Sequence, residues 1–299
     1  MTTAAMDLRL AVISDGFPLW PLHIAKSSGL FAAEGVNVAI TVTGSSAKQM
    51  ELLDQGEFDI GIQLPDHVVR AVSHGSDIFA FMAPVHAADI SLIAKPGMHS
   101  LADLSGRTIA VDGAKSGYAL LLRRMLRAQG ISDADCPLTE FGGTKERLDA
   151  LTDGRADAAF INPPFDKKLL AKGFVRLTST LEAFPDYPGP VAAARRDWAA
   201  SHEEPLLRFV RAYRKAFAWI ADQGNRDAAI KIACDRLPVD QEMAAAAWLD
   251  LSSRPAPVLC AAGLQQVVDV VWDSDGLPLP KPNADKFIDL RYLENAPLR

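Results

Sequence analysis

Six short segments of this chain combine glycine or proline with small polar residues, a composition that suits loops around a bound ligand. They are SDGFP at 14–18, TGSS at 43–46, QLPD at 63–66, DGAKSGY at 112–118, FGGT at 141–144 and NPPF at 162–165. Such residues turn the chain sharply and leave backbone N–H groups open to an acceptor. Ordinary turn chemistry accounts for the same composition, so these segments predict either ligand loops or plain turns.

The segment DGAKSGY offers the most specific chemistry of the six. Ser116, Gly117 and Tyr118 directly precede the apolar helical stretch ALLLRRML. The amino end of a helix attracts negative charge, and the Ser116 hydroxyl and the nearby Lys115 would add to that attraction. Ser116 would equally serve as a simple N-cap. An anion-binding role and a capping role therefore both stay open.

Aromatic residues accompany the same segments. Phe17, Trp20, Tyr118 and Phe165 all lie near the expected ends of strands. Ligand pockets are mostly apolar with a few polar anchors, so these rings would close over an organic molecule. Packing in the core is the alternative for each ring.

The motifs of common catalytic, metal and nucleotide sites are missing from the sequence. Its histidines and cysteines show no metal-ligand spacing, and it contains no P-loop, dinucleotide fingerprint or G-x-S-x-G elbow. We therefore expect no metal, no cofactor and no nucleophile–base pair. His86 follows the apolar stretch FMAP and is either a ligand contact or a structural histidine.

Charge and hydropathy narrow the class of protein further. The chain has 299 residues and a net charge of −6, which argues against a nucleic-acid partner. It lacks a run of about 18 apolar residues, so we expect no direct membrane insertion. The first residues lack the basic and apolar regions of a signal peptide. We expect a cytoplasmic protein if Met1 is native, and an exported one if a leader was trimmed.

The six segments need a scaffold, and the pattern between them indicates one. Stretches such as LRLAVIS, NVAITVTG and FDIGIQL read as strands and alternate with helical stretches such as AKQMELLDQG, which Ser45 or Ser46 would cap. This alternation predicts a parallel sheet with helices on its faces. The six segments would then follow the carboxyl ends of strands, where open α/β sheets bind ligands.

The strand and helix pattern begins again in the second hundred residues. Four residues recur at a constant offset of 98: Leu53, Gly56, Asp59 and Pro65 against Leu151, Gly154, Asp157 and Pro163. This offset is far longer than the 20–50 residues of a solenoid repeat. It predicts two similar α/β lobes.

The sequence after residue 194 is mostly helical. The stretch SHEEPLLRFVRAYRKAFAWIADQG opens with the spelling of a capping box, Ser201 and Glu204. Apolar residues then recur at helical spacing. We expect the proline-rich end, from residue 275 onward, to wrap over the surface.

Three stretches, taken in order, resemble ABC transporter periplasmic substrate-binding proteins of the nitrate, sulfonate, taurine and thiamine-pyrimidine-precursor group. DGFPLWPLHIAKSSGLFAAEGVNVAI is similar to the group's opening strand, substrate loop and G-L-F-x-x-E-G turn. TGSSAKQMELLDQGEFDIGI is similar to its second element. LADLSGRTIAV is similar to its D-L-x-G-K-T-I-A-V opening of lobe two, with Arg107 for the usual lysine. The resemblance covers roughly residues 7–250.

The resemblance implies an α/β fold of the type II periplasmic-binding-protein kind. Each of its two lobes would be a mostly parallel sheet flanked by helices, with a hinge cleft between the lobes. Lobe one would combine residues 1–88 with 190–299, and lobe two would be residues 89–189. The hinge would lie near 84–90 and 187–191, and residues 63–65 would face 162–163 when the lobes close around a solute.

The resemblance also implies ligand contacts after the strands of both lobes, and His86 adds one from the residue analysis. Together the candidates are Asp15, Phe17, Trp20, Ser45, Gln63, Leu64, His86, Ser116, Gly117, Tyr118 and Asn162.

Three functions compete on this basis. The first is the substrate-binding component of an ABC transporter, a monomer that binds a small organic anion and delivers it to a permease. The second is a cytosolic enzyme on the same fold, similar to small decarboxylases or to pyrimidine-precursor synthases, although the Cys-rich run of the synthases is missing. The third is a LysR-type sensor, for which too few residues precede the first strand to form a helix-turn-helix. We favour the first.

Overall fold

The computed structural model describes residues 5–84, 87–237, 239–253 and 258–296. The strands are β1 (Met6–Val12), β2 (Val36–Val42), β3 (Ile60–Gln63), β4 (Ile78–Met82), β5 (Ser91–Ala94), β6 (Ile109–Val111), β7 (Leu138–Glu140), β8 (Ala158–Ile161), β9 (Val175–Ser179) and β10 (Val191–Arg195). The helices are α1 (Trp20–Ser27), α2 (Leu30–Ala33), α3 (Ser46–Asp54), α4 (Pro65–Ser73), α5 (Gly117–Ala128), α6 (Thr144–Thr152), α7 (Phe165–Leu170), α8 (Thr180–Ala183), α9 (Arg196–Ser201), α10 (Glu203–Ala221), α11 (Arg226–Arg236), α12 (Gln241–Ser252), α13 (Ala261–Asp275) and α14 (Arg291–Glu294).

The chain forms two compact units. As far as their residues are described, unit 1 consists of Met1–His86, Pro188–Val268 and Pro282–Arg299, and unit 2 of Ala87–Tyr187 and Asp269–Lys281. The division after Val268 falls inside α13. Residues 269–281, which the sequence analysis assigns to lobe one with the rest of 190–299, are grouped here with unit 2.

Each unit is built on a five-stranded sheet, and the two sheets share one strand arrangement. The orders are β2-β1-β3-β10-β4 in unit 1 and β7-β6-β8-β5-β9 in unit 2. The first three strands of each order are parallel, whereas β10 and β5 run antiparallel to both of their neighbours. The predicted α/β class is confirmed, with one antiparallel strand in each mostly parallel sheet.

The sequence analysis does not predict β9. This strand is at the edge of its sheet, and Arg176 and Thr178 break the apolar run of its sequence VRLTS. An edge strand has one neighbour and needs fewer apolar side chains, so its periodicity signal is weak.

The aspartates of the 98-residue repeat hold equivalent strands in place. The Asp59 carboxylate accepts the backbone N–H of Arg9 at 2.8 Å, and the Asp157 carboxylate accepts that of Thr108 at 3.1 Å. Each aspartate directly precedes the third parallel strand of its sheet and links it to the neighbouring strand at the amino end. The repeat therefore encodes strand pairing, at the edge opposite the predicted ligand loops.

The glycines and leucines of the repeat end equivalent helices. Gly56, with a φ of +82°, follows α3, and Gly154, with a φ of +79°, follows α6. Glycine adopts this left-handed conformation without steric cost. Leu53 and Leu151, three residues earlier, are fully buried against the sheets.

The core of unit 1 forms around α10. Its predicted apolar stripe is confirmed: Leu206, Val210, Tyr213, Phe217 and Ile220 are all buried. None of the helices in the described part of the chain is both long enough and apolar enough to cross a bilayer.

The predicted capping box at Ser201 is wrong. Ser201 is the last residue of α9, and its hydroxyl donates to the Asp197 carbonyl at 3.0 Å. His202 occupies the N-cap of α10 without a side-chain capping bond. The short helix α9 occupies the residues that the capping box would need.

The expectation that the proline-rich end covers the surface is wrong for its last part. Phe287 is fully buried, and its carbonyl accepts the Ala80 N–H of β4 at 2.8 Å. The Tyr292 ring lies against Phe79, with ring centroids 5.5 Å apart. This segment completes the core of unit 1 beside β4, because its aromatic side chains cover an otherwise open edge.

Candidate ligand site at the carboxyl ends of the strands

In unit 1 the loops after β1, β2 and β3 meet at one edge of the sheet, because these strands are parallel neighbours. Thr43 joins the first two loops: its N–H donates to the Val12 carbonyl at 2.9 Å. This edge holds five of the predicted site residues: Asp15, Phe17, Ser45, Gln63 and Leu64.

Asp15 contacts a histidine that the sequence analysis did not select. The Asp15 carboxylate lies 2.6 Å from His23 Nε2, and the His23 side chain is buried in α1. The carboxylate also accepts the Gly16 N–H at 3.0 Å and remains one-third exposed. The loop after β1 therefore holds a carboxylate–imidazole pair, an arrangement capable of acid–base chemistry.

The two aromatic residues of this loop differ in environment. Trp20 is completely buried, and its indole N–H donates to the Ala229 carbonyl at 3.1 Å in the core of unit 1. Phe17 is partly buried and packs edge-to-face on Trp20 at 5.7 Å. Phe17 is thus the aromatic side chain of this loop that reaches the edge of the sheet.

Ser45 and Leu64 occupy the N-caps of two helices. The Ser45 hydroxyl accepts the Lys48 N–H at 3.3 Å, as an N-cap of α3 should, and Ser45 is exposed. Leu64 precedes α4 and is partly buried. His86 lies outside the described residues.

Gln63 ends β3 with a buried, incompletely satisfied amide. Its Nε2 donates to the Met50 sulfur, whereas its Oε1 has no hydrogen-bond partner among the described residues. Asp66, in the first turn of α4, is also buried; one carboxylate oxygen accepts from Arg70 at 2.6 Å and the other has no partner among the described residues. Unpaired buried acceptors are costly unless a water or ligand supplies a donor.

In unit 2 the loop after β6 carries Ser116, Gly117 and Tyr118. The Ser116 hydroxyl accepts the Ala119 N–H at 3.1 Å, so Ser116 caps α5, and it donates to Asp112 at 2.6 Å. Gly117 is buried and Tyr118 is partly buried against the core of unit 2. The capping role of Ser116 is therefore observed, and its hydroxyl proton is directed at a carboxylate of the chain itself.

Asn162 directly follows β8, the strand equivalent to β3. Its Oδ1 is buried and has no partner among the described residues. Its backbone carbonyl accepts the Phe165 N–H at 3.1 Å, which begins α7. The carboxyl ends of both third strands thus carry a side-chain amide with an unsatisfied oxygen.

Arg147, which the sequence analysis did not select, is the most unusual charged residue of unit 2. It lies in the first turns of α6 and is only 4% exposed. Its Nη2 donates to Thr144 at 3.0 Å, its Nη1 lies 3.8 Å from Asp112, and its Nε has no partner in the described chain. Burial lowers the pKa of this guanidinium, and the nearby Asp112 and Tyr118 counteract that effect.

The internal repeat is the signal that would have identified Arg147. It stands 98 residues after Gln49, and Gln49 is fully buried in unit 1. The Gln49 amide donates to the carbonyls of Ala11 at 2.7 Å and Ile62 at 3.1 Å, which joins β1 to β3. A helix position directed at the sheet is therefore neutral in one unit and cationic in the other.

A surface groove of about 380 Å³ lies at the opposite edge of the unit 1 sheet. It is lined by residues 6–9, Asp59, Trp198, His202 and Pro205. Arg9 and Asp59, two charged residues of this lining, already form a 2.7 Å ion pair with each other. No group of three or more His, Cys, Asp or Glu side chains is placed to hold a metal in the described ranges.

The sequence of this chain is similar to those of known binding proteins. The sequence profile of the family described as "NMT1/THI5 like" matches residues 18–226. A Brucella abortus protein provisionally named as a binding protein is 28% identical over 214 residues, 71% of this chain and 66% of that protein. The formylaminopyrimidine-binding protein of Halalkalibacterium halodurans is 23% identical over 71% of this chain and 64% of its own length. The chain thus spans slightly less than two thirds of these curated relatives.

Solved structures show the same fold. The periplasmic aliphatic sulphonate binding protein SsuA from Escherichia coli superposes with a TM-score of 0.79 at 21% identity, covering 96% of this chain and 92% of that chain. The predicted periplasmic-binding-protein fold is confirmed. The family profile extends over more than half of the chain, and this protein belongs to the NMT1/THI5-like family.

Proposed function

We propose that this protein binds a small organic anion at the carboxyl ends of its parallel strands, as the substrate-binding component of an ABC importer. The observation that carries the proposal is the pair of unsatisfied amide oxygens, Gln63 Oε1 and Asn162 Oδ1, at the carboxyl ends of equivalent strands. Both lie where open α/β sheets bind ligands, and N–H or O–H groups that a solute carries beside its anionic group would supply the missing donors. Family membership and the ligand-binding names of the relatives support the same reading.

Further contacts to the solute would come from the loops after the strands of each unit. Asp15, Phe17 and Ser45 of unit 1 and Tyr118 of unit 2 would complete the contacts. The protein would act outside the cytoplasmic membrane and meet its permease there.

A thermal-shift screen followed by calorimetry tests the binding function. The probes are short-chain alkanesulfonates, taurine, nitrate, aromatic carboxylates and aminopyrimidines. We expect at least one probe to raise the melting temperature, because a ligand that binds the folded state alone stabilises it by mass action. A panel without any stabilising probe would refute the proposal.

Two variants place the binding site. Gln63→Ala and Asn162→Ala should each raise the Kd of the best probe about tenfold, the effect of losing roughly 1.4 kcal/mol of hydrogen bonding. Gln55→Ala, which removes an exposed amide at the end of α3, is the matched control and should leave the Kd unchanged. Equal effects of all three variants would contradict the assignment of the site.

An enzyme on this fold is the second candidate, and the 2.6 Å contact between Asp15 and His23 favours it. A carboxylate that orients an imidazole is the usual arrangement of a general base. Mass spectrometry of each bound probe after incubation separates the two functions. Conversion that disappears in His23→Gln would establish catalysis, whereas unchanged probes would leave binding as the function.

A further inference from the structure

We propose that Asp112 and Arg147 of unit 2 form an anion subsite in which Asp112 competes with the ligand for the guanidinium. The inference rests on the proposed binding function and adds to it the residue that recognises the negative charge. It also predicts that removing the charge of Asp112, the carboxylate beside this arginine, strengthens binding.

The Arg147 charge is poorly compensated in the described structure. A guanidinium has five N–H donors, but the structure shows one hydrogen bond from it, to Thr144, and its Nε has no partner in the described ranges. The nearest carboxylate, Asp112, is 3.8 Å away, beyond hydrogen-bonding distance. A buried charge without matched partners strongly destabilises a fold, so this position favours an additional anionic group.

The contacts of Asp112 allow a ligand to take its place beside the Arg147 guanidinium. Its hydrogen bond comes from the Ser116 hydroxyl at 2.6 Å, and about one-third of its side chain is exposed. It lies in the loop before α5, whose amino end stabilises a negative charge, whether that charge belongs to Asp112 or to a ligand. A solute oxyanion would therefore compete with Asp112 for one positive region.

The geometry of the guanidinium suits a single oxyanion head group. Its Nε–H and one Nη–H point along one edge and match two oxygens of a carboxylate or sulfonate. The unit 1 counterpart, Gln49, shows that a neutral amide at this position is enough to join two strands, through N–H bonds to Ala11 and Ile62. Charge at residue 147 is thus not needed to join strands, and Arg147→Gln installs a residue that the same architecture already accepts in unit 1.

Calorimetry with butyrate, propanesulfonate and neutral butyramide tests the subsite. Wild-type protein should bind at least one of the two acids and should bind butyramide at least tenfold more weakly. Arg147→Gln should weaken the preferred acid at least tenfold, whereas Asp112→Asn should strengthen it about tenfold, because it removes the competing charge and keeps an acceptor for Ser116. Arg155→Gln and Asp153→Asn, an exposed pair of the same unit, are the controls and should leave the affinity unchanged.

Opposite changes in acid affinity, a loss in Arg147→Gln and a gain in Asp112→Asn, distinguish competition from a structural ion pair. If the pair only stabilised unit 2, both variants would lower the melting temperature and weaken all probes alike, which would overturn the inference. Should Arg147→Gln fail to fold, Asp112→Asn alone tests the inference: a gain in acid affinity supports it and a loss refutes it. Equal binding of butyrate and butyramide would refute the subsite but leave the binding function intact, whereas a protein that binds no solute of either panel would refute both.

Discussion

Replacing Trp20 by phenylalanine tests whether this residue belongs to the core or to the ligand site. The Trp20 side chain is completely buried, and its indole N–H bonds to the Ala229 carbonyl. The smaller ring would lose about 1 kcal/mol of apolar burial and about 1 kcal/mol through the roughly 40 Å³ cavity left behind. The lost hydrogen bond adds about 1 kcal/mol. We therefore expect Trp20→Phe to lower the free energy of unfolding by about 3 kcal/mol.

Urea unfolding, followed by circular dichroism, measures this change, and calorimetry with the best probe measures affinity. Phe17→Leu is the matched control, because Phe17 packs on Trp20 but is only partly buried. It should lower stability by less than about 1 kcal/mol and weaken the probe, whereas Trp20→Phe should leave the affinity within about twofold. A Trp20→Phe protein of wild-type stability and reduced affinity would refute the assignment of Trp20 to the core.

Two further predictions concern the scaffold. Burial alone would raise the pKa of Glu34, but hydrogen bonds from a lysine and an arginine of α10 lower it below its usual 4.5. Its contribution to stability is therefore present above about pH 4.5 and is lost as the pH falls through the lowered pKa. Glu34→Gln should destabilise the protein at pH 7 and make acid unfolding less steep than in the exposed control Glu51→Gln; identical acid-unfolding curves would contradict this. Gly56→Ala and Gly154→Ala each force a left-handed alanine, at about 1 kcal/mol. The new Cβ at 56 would also lie 3.0 Å from Arg195 Nη1, so Gly56→Ala should cost about 1 kcal/mol more in urea unfolding than Gly154→Ala, which meets no atom within 4 Å. Equal losses would show that Arg195 moves freely.

The elements with strong local signals are the ones that the sequence predicts well. The alternation of strands and helices, the apolar stripe of α10 and the duplicated unit all follow from periodicity and from the offset of 98 residues. The edge strand β9 and the burial of Phe287 do not, because each depends on which neighbour covers one side of a segment. The false capping box at Ser201 has the same origin, since α9 occupies residues that the motif alone would leave free.

For the candidate site, too, some features follow from local sequence signals and others depend on tertiary packing. Segment composition identifies the loops after the strands, and the parallel sheet then brings Asp15, Phe17 and Gln63 to one edge. Whether a side chain in such a loop is turned inward is a matter of packing, which is why Trp20 lies in the core. The contact between Asp15 and His23 joins residues eight positions apart and has no spacing motif of its own.

The sequence by itself determined the α/β class, the internal duplication and the loops that follow the strands, because these depend on local periodicity and on turn-forming residues. Only the tertiary structure decided that Asp59 and Asp157 pair strands, and that Arg147 is buried with too few partners while the Gln49 amide donates to two strands. Those outcomes depend on which atoms meet across the sheet, and hydrogen-bond satisfaction of a buried group is a property of its surroundings rather than of its neighbours in the chain.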